Sequence, residues 1–101
     1  MQDEAAVLNR AGGRIALRFH ARDLHLVMAC TAPGSPVPFR VTIDGRVPGP
    51  AHGVDSDDQG RGTLAEPRMY QLIRQSGTIK DRRFEIEFLR PEVAAYSFTF
   101  G

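Results

Sequence analysis

The sequence has no tryptophan, a single cysteine and a single lysine, and each shortage narrows the functions open to it. Cys30 has no second cysteine with which to form a disulfide or a redox pair, and its apolar surroundings at residues 26–30 are typical of a buried thiol. With Lys80 as the only lysine, the positive charge is almost all arginine. This usage indicates a coding bias more than a phosphate-binding surface.

Net charge and long apolar runs are also nearly absent. Thirteen Lys and Arg are balanced by twelve Asp and Glu, a formal charge of +1. This balance gives no field that attracts nucleic acid or anionic lipid, so neither partner is expected. No apolar run approaches the roughly 20 residues that span a bilayer, and the amino terminus is acidic where a signal peptide is basic. We expect no membrane insertion by this segment.

What is present fits one folded domain. A length of 101 residues is close to the usual size of a single domain, and a hydrophobic fraction of 42% is enough for one core. Ten Gly and seven Pro indicate many turns. We therefore expect a single domain over residues 1–101.

Apolar and polar residues alternate in several short segments, with the period of a strand that buries one face. Strands are predicted at residues 14–20, 24–30, 39–43, 68–75, 82–89 and 96–100, with a short edge strand within residues 1–13. The Asp44-Gly45 dipeptide predicts a tight hairpin turn. Six or seven short strands without helical periodicity predict an all-β fold, an antiparallel β-sandwich of the jelly-roll type.

A polar stretch over residues 48–67 is too long for an ordinary connection. Within it, Asp55, Asp57 and Asp58 precede Gly60, as carboxylates precede a glycine in calcium loops with oxygen ligands. An EF-hand is excluded because no helices flank the loop. A looser calcium site at these three aspartates is one interpretation, and turn formation by Asp and Gly is the preferred one.

The same region supplies candidates for a sugar site. Sugar-binding sandwiches usually combine an aromatic platform with Arg and Asp side chains, because a pyranose has an apolar face and a rim of hydroxyls. The candidate ligand residues are Asp55, Asp57, Arg61, Arg68 and Tyr70. For the tyrosine, the preferred alternative is a core ring with a hydrogen-bonded hydroxyl.

No set of residues has the spacing of a catalytic site. His20, His25 and His52 lack a nucleophile, an orienting carboxylate and an oxyanion donor at a useful distance in sequence. Glu85 and Glu87 alternate with apolar residues on one predicted strand, which is more typical of a solvated face than of a glycosidase pair. We expect that the chain is not an enzyme.

Several runs occur in an order and spacing typical of one protein family. They are RFHARDLHLV at residues 18–27, IDG at 43–45, GVD at 53–55, GRGT at 60–63, EPRMYQLIR at 66–74 and AYSFTFG at 95–101. In these runs the chain resembles the carboxyl-terminal domain of DipZ-type proteins, which are bacterial cytochrome c biogenesis and thiol-disulfide proteins. The resemblance implies a β-sandwich similar to carbohydrate-binding modules, placed after a thioredoxin-like domain and outside the cytoplasmic membrane.

The chain also differs from the family pattern in two respects. The WCxxC motif of the thioredoxin-like domain is absent, so no residue here takes over the family's redox activity. Family members usually carry a further strand with a tryptophan ahead of the segment that matches residues 4–8, which implies a fragment that lacks this strand.

Together these observations predict a noncatalytic accessory module of an extracytoplasmic thioredoxin-like protein. Its expected partner is a glycan or the neighbouring thioredoxin-like domain. The alternative is a structural or oligomerisation domain without a small-molecule ligand, in which an exposed edge strand pairs two copies.

Overall fold

The computed structural model describes residues 3–8, 13–30, 36–90 and 93–101, with the backbone alone for residues 3–8. These residues form eight strands and one short 3-10 helix. The strands are β1 (Asp3–Leu8), β2 (Gly13–Phe19), β3 (Asp23–Cys30), β4 (Val37–Ile43), β5 (Arg61–Leu64), β6 (Arg68–Arg74), β7 (Arg82–Phe88) and β8 (Val93–Phe100), and the helix is Gly49–Ala51. None of the helical structure in these residues has the length and apolar character needed to cross a membrane.

The strands form two four-stranded antiparallel sheets. Sheet A has the order β1-β8-β3-β6, and sheet B has the order β2-β7-β4-β5. Most connections therefore cross from one sheet to the other, which is the arrangement of a jelly roll built from eight strands in two packed sheets. The predicted antiparallel jelly-roll sandwich is confirmed.

The core lies between the two sheets. On β7, Phe84, Ile86 and Phe88 are fully buried, whereas Glu85 and Glu87 face outward. Rings from opposite sheets meet edge to face, Phe39 with Tyr70 at 6.4 Å and Phe84 with Phe98 at 6.0 Å between ring centroids. Because burying one such side chain stabilises the fold by about 1.5–3 kcal/mol, this alternation determines which face of each strand points inward.

The hairpin turn after β4 forms at the predicted dipeptide. Asp44 and Gly45 both have positive φ angles, 54° and 80°. The backbone N–H and C=O groups of Ile43 and Arg46 bond to each other at 2.8 and 3.0 Å. Two consecutive positive φ angles are typical of the tight turns that Asp-Gly favours. The turn closes on a single bridge between Ile43 and Arg46, and no strand follows it directly in the described chain.

The long polar stretch differs from the prediction because it is not a single loop. It contains the 3-10 helix and the whole of β5, which pairs with β4 at the edge of sheet B. With four residues and an internal Gly62, β5 has no alternation that sequence analysis could detect. At the edge of sheet A, β1 pairs with β8, as expected for a short edge strand near the amino terminus.

Candidate functional site

The first half of the loop between β4 and β5 lies along the free edge of sheet A. His52 forms an antiparallel bridge with Ile73 of β6. The N–H groups of Gly53 and Asp55 donate to carbonyl oxygens of β6, each at 2.9 Å. A Cβ atom on Gly53 would lie 2.3 Å from the Gln71 carbonyl oxygen, so only glycine permits this approach. The loop thus covers backbone groups that an edge strand would otherwise expose.

The second half of the loop turns onto sheet B. Asp57 closes the turn, because its Oδ1 accepts hydrogen bonds from the N–H groups of Gln59 at 3.0 Å and Arg61 at 2.8 Å. Gly60 has a φ angle of +81°, and its carbonyl accepts from the N–H of Val41 at 2.7 Å. The chain then continues as β5. The loop therefore contacts β6, at one edge of sheet A, and leads into β5, at one edge of sheet B.

Asp55, Arg68 and Tyr70, here called the Arg68 cluster, lie where this loop meets β6, and hydrogen bonds to Asp55 hold the loop against the strand. Arg68 donates from Nη2 to Oδ1 of Asp55 at 2.7 Å and from Nη1 to Oδ2 at 3.2 Å, and the backbone N–H of Gln71 donates to Oδ2 at 2.7 Å. The Arg68 hydrogen bonds and the Gln71 N–H lower the pKa of Asp55 below its ordinary value, although partial burial acts in the opposite direction. A bidentate, charge-assisted pair is among the stronger hydrogen-bonded contacts in proteins.

Tyr70 is a core residue with a polar tip. Its ring is 1% exposed, and the Arg68 guanidinium lies 3.9 Å from the ring centroid. Its hydroxyl donates to the Glu66 carbonyl at 2.8 Å and accepts from the Ala65 N–H at 3.1 Å. The ring has no open face for a sugar, which corrects the candidate role of Tyr70 as a platform. The alternative, a buried ring with a hydrogen-bonded hydroxyl, describes it.

The three aspartates considered as calcium ligands do not converge. Asp55 is bound by Arg68, and Asp57 Oδ1 is bound by two backbone N–H groups. Across the described residues, no three His, Cys, Asp or Glu side chains are grouped so that they could hold a metal ion. Asp57 thus acts in turn formation, the interpretation preferred from the sequence, whereas the Asp58 side chain forms no hydrogen bond with the described residues.

An open groove, here called the β5 groove, lies beside β5 on the outer face of sheet B, with a volume of about 560 Å³. It is lined by Pro38, Phe39, Arg40, Asp57, Arg61, Gly62, Thr63 and Leu89. Of the ligand residues predicted from the sequence, Asp57 and Arg61 line the groove. The other three, Asp55, Arg68 and Tyr70, belong to the Arg68 cluster and do not line it.

Arg40 is a groove residue that sequence analysis missed. It lies directly opposite Arg61 in the β4–β5 register. Its outward position follows from the alternation on β4, but its neighbour across the sheet could not be identified without β5. The groove thus combines two guanidinium groups with the Asp57 carboxylate and the Thr63 hydroxyl.

Next to the groove, ion pairs cross the outer face of sheet B. Arg14 lies 3.3 Å from Glu85 and 3.6 Å from Glu87, and Arg40 Nη2 lies 4.0 Å from Glu87 Oε1. These side chains line a second depression of about 360 Å³, which shares Arg40 with the β5 groove. Glu85 and Glu87 therefore belong to a solvent-facing set of ion pairs, as the strand pattern predicts.

The histidines lie at three separate places, and none of them lines the β5 groove. Their Nδ1 atoms contact Asp81 Oδ1 at 2.7 Å for His20, Thr99 Oγ1 at 3.3 Å for His25 and the Gly53 carbonyl at 2.8 Å for His52. Each ring thus has a local hydrogen-bond partner. The groove is built from binding groups without a histidine base.

Comparison with known sequences gives one clear match. A family model described as thioredoxin like C-terminal domain matches residues 1–101. Among curated proteins, no sequence matches this chain.

Several solved structures with a similar fold are carbohydrate-active enzymes. A family two carbohydrate esterase from Clostridium thermocellum, in complex with cellohexaose, is 11% identical with a TM-score of 0.67 over 93% of this chain and 26% of that chain. An acetyl xylan esterase from Butyrivibrio proteoclasticus is 11% identical with a TM-score of 0.58 over 99% and 30% of the two chains. A family GH115 4-O-methyl-α-glucuronidase is 13% identical with a TM-score of 0.54 over 96% and 14%. This chain spans less than a third of each enzyme, and the likeness shows the fold alone.

Proposed function

The chain belongs to the family of thioredoxin-like C-terminal domains, and we propose that it is a noncatalytic module that binds a glycan in the β5 groove. The observation that carries the proposal is the composition of the groove, an open concave surface in which two guanidinium groups, a carboxylate and a hydroxyl are side by side.

These groups match the hydroxyl rim of a sugar. Guanidinium groups donate hydrogen bonds, carboxylates accept them, and a hydroxyl does both. Oδ1 of Asp57 is used in the turn, whereas its Oδ2 accepts no hydrogen bond from the described residues. The aromatic lining residue, Phe39, is 1% exposed and offers no stacking surface. Binding would therefore depend on polar contacts, and we expect oligosaccharides that extend along the groove to bind better than single sugars.

The similar structures support a glycan over other small ligands. One is an esterase that binds cellohexaose, and two others are described as an acetyl xylan esterase and a glucuronidase with specificity for decorated arabinogalactans. The family supports an accessory role next to a thioredoxin-like domain. We extend the proposal to the parent protein, an extracytoplasmic protein of the DipZ type in which this module binds an envelope glycan or positions the neighbouring redox domain.

A glycan array, followed by isothermal titration with the strongest binder, tests the proposal. Arg61→Ala should weaken binding about tenfold or more, since a hydrogen bond from a charged group contributes about 1.5–3 kcal/mol. Arg83→Ala is the matched control, because Arg83 is an exposed arginine on the same sheet face but outside the groove. Absence of binding across the array would reject the glycan proposal. Binding that Arg61→Ala and Arg40→Ala leave intact would place the ligand elsewhere.

A structural or oligomerising role is the second candidate, favoured by the position of β2. This strand is outermost in sheet B and pairs only with β7 within the described part of the chain. Such an edge presents backbone N–H and C=O groups to a second copy, although arginines on the strand, Arg14 and Arg18, oppose that pairing. Light scattering over a dilution series distinguishes the two roles. A constant monomer mass contradicts oligomerisation, and a defined dimer supports it.

A further inference from the structure

We propose that the β5 groove selects glycans that carry a carboxylate, that is, chains containing uronic acid. The inference rests on the proposed function and adds the class of sugar. Its basis is the juxtaposition of Arg40 and Arg61 on neighbouring strands in one groove. Among the described residues, the Arg61 side chain has no hydrogen-bond or ion-pair partner, and Arg40 has one ion pair, with Glu87 at 4.0 Å.

Arg40 and Arg61 are direct cross-strand partners in the β4–β5 register. Like charges in such positions repel and destabilise the strand pair. Arg61 forms no side-chain hydrogen bond or ion pair with any residue of the described chain, and the nearest carboxylate of Arg40, Glu87, is at 4.0 Å. Glu87 is also shared with Arg14 at 3.6 Å. An anion bound between the two guanidinium groups would replace a repulsive contact with two attractive ones.

A second cross-strand arginine pair lies on the same face of sheet B but outside the β5 groove. Arg18 and Arg83 are also direct partners, across β2 and β7. This pair lies beside the Asp44 carboxylate, which accepts a hydrogen bond from the Arg83 N–H at 2.9 Å and whose pKa is lowered chiefly by that bond and also by the charge of Arg18. The Asp44 carboxylate is also bound by the Arg82 side chain at 2.6 Å, and neither Arg18 nor Arg83 lines the groove. Arg40 and Arg61 differ from this pair because their side chains line the β5 groove, where a ligand can reach both.

The remaining groups favour a sugar carboxylate over a free phosphate. Asp57 also lines the groove, and its charge would repel a dianion more than a monoanion. A uronate brings a single negative charge for the arginines, in a geometry that suits bidentate binding, and hydroxyl donors for Asp57 and Thr63. A uronate thus binds both the arginines, through its carboxylate, and Asp57 and Thr63, through its hydroxyls.

Titration with a trisaccharide that contains one galacturonic acid residue, and with its carboxyl-reduced, neutral counterpart, tests the inference. The acidic trisaccharide should bind roughly tenfold tighter, the effect of one charge-assisted contact, and raising the salt from about 0.05 to about 0.5 M should remove most of this advantage. Arg61→Ala and Arg40→Ala should each equalise the two affinities, while Arg83→Ala leaves the preference unchanged.

The outcomes separate this inference from the function on which it rests. Equal binding of the two trisaccharides by the unaltered chain would overturn the preference for acidic sugars and leave glycan binding in place. Inorganic phosphate that competes for the groove as well as the acidic trisaccharide would also overturn it, since the site would then be a general anion site. Failure of every array glycan and both trisaccharides to bind would reject the proposed function and this inference together.

Discussion

Arg61 and Arg68 lie in the same region of the sequence, yet the fold gives them opposite environments. Arg68 binds Asp55 through two nitrogens and covers the ring of Tyr70. Arg61 is an exposed residue of the β5 groove whose guanidinium has no partner among the described residues. The comparison shows that residue type and loop composition do not identify a binding arginine. What distinguishes the two is whether the fold itself uses the hydrogen-bonding groups of the side chain.

Removing the Tyr70 ring from the Arg68 cluster should have the largest effect on stability. Tyr70→Ala should lower the free energy of unfolding by about 3–5 kcal/mol, the range for replacing a buried aromatic side chain with alanine. Urea denaturation measures the loss. Tyr70→Phe, which keeps the ring and removes only the hydroxyl bonds, should cost about 1 kcal/mol. A stable Tyr70→Ala variant that fails only in glycan binding would contradict the assignment of Tyr70 to the core and return it to the ligand site.

Removing the charge of Asp55 should have an intermediate effect that depends on pH. Asp55→Asn should cost about 1.5–3 kcal/mol at neutral pH, because the Arg68 donors lose a charged acceptor. The native pKa of Asp55 is lowered, so its stabilisation is complete above the unfolded-state pKa of about 3.9 and is lost as the pH falls through the lower native pKa. The difference between the two proteins should be constant from about pH 7 to 5 and shrink below about pH 4.

Urea denaturation at a series of pH values measures that difference. Asp58→Asn is the matched control, an exposed aspartate in the same loop whose side chain forms no hydrogen bond or ion pair with the described residues. It should leave stability nearly unchanged at every pH. A stability difference for Asp55→Asn that persists unchanged to pH 3 would show that the ion pair with Arg68 is not its cause.

Replacing the groove residue Arg61 with alanine should have the smallest effect on stability. Arg61→Ala should change the free energy of unfolding by less than about 0.5 kcal/mol, as is usual for exposed side chains without specific contacts, and relief of the repulsion from Arg40 would make the change slightly favourable. Thermal or urea denaturation in parallel with Arg68→Ala sharpens the comparison, since the latter should be clearly destabilising. Equal losses for the two variants would contradict the distinction between them.

Much of the fold follows from the sequence, because its strands bury one face. On β7 the alternation of Phe84, Ile86 and Phe88 with glutamates predicts the strand and its buried side correctly. The pairing of Asp55 with Arg68, thirteen residues later, could not be predicted. It depends on the loop docking along β6, which in turn requires the close approach at Gly53. No local pattern encodes that contact.

The β5 groove was less predictable for a related reason. Its side chains belong to strands and a turn that meet only after β5 pairs with β4, and β5 is too short to show periodicity. The Asp-rich composition indicated Asp57 and Arg61 as candidates without showing on which face they lie. Arg40 was indistinguishable from any other outward arginine until its cross-strand partner was known.

The loop between β4 and β5, which lies along β6, also matters for engineering this domain. Its length and polar composition would recommend it for grafting a peptide or an affinity tag, yet its backbone is hydrogen-bonded to β6 on one side and β4 on the other. Added residues between Gly53 and Asp57 would pull those contacts apart. The turn at Gly77, exposed and with open space around it, is the better graft point. In a designed variant, residues 52–60 are best kept as part of the framework.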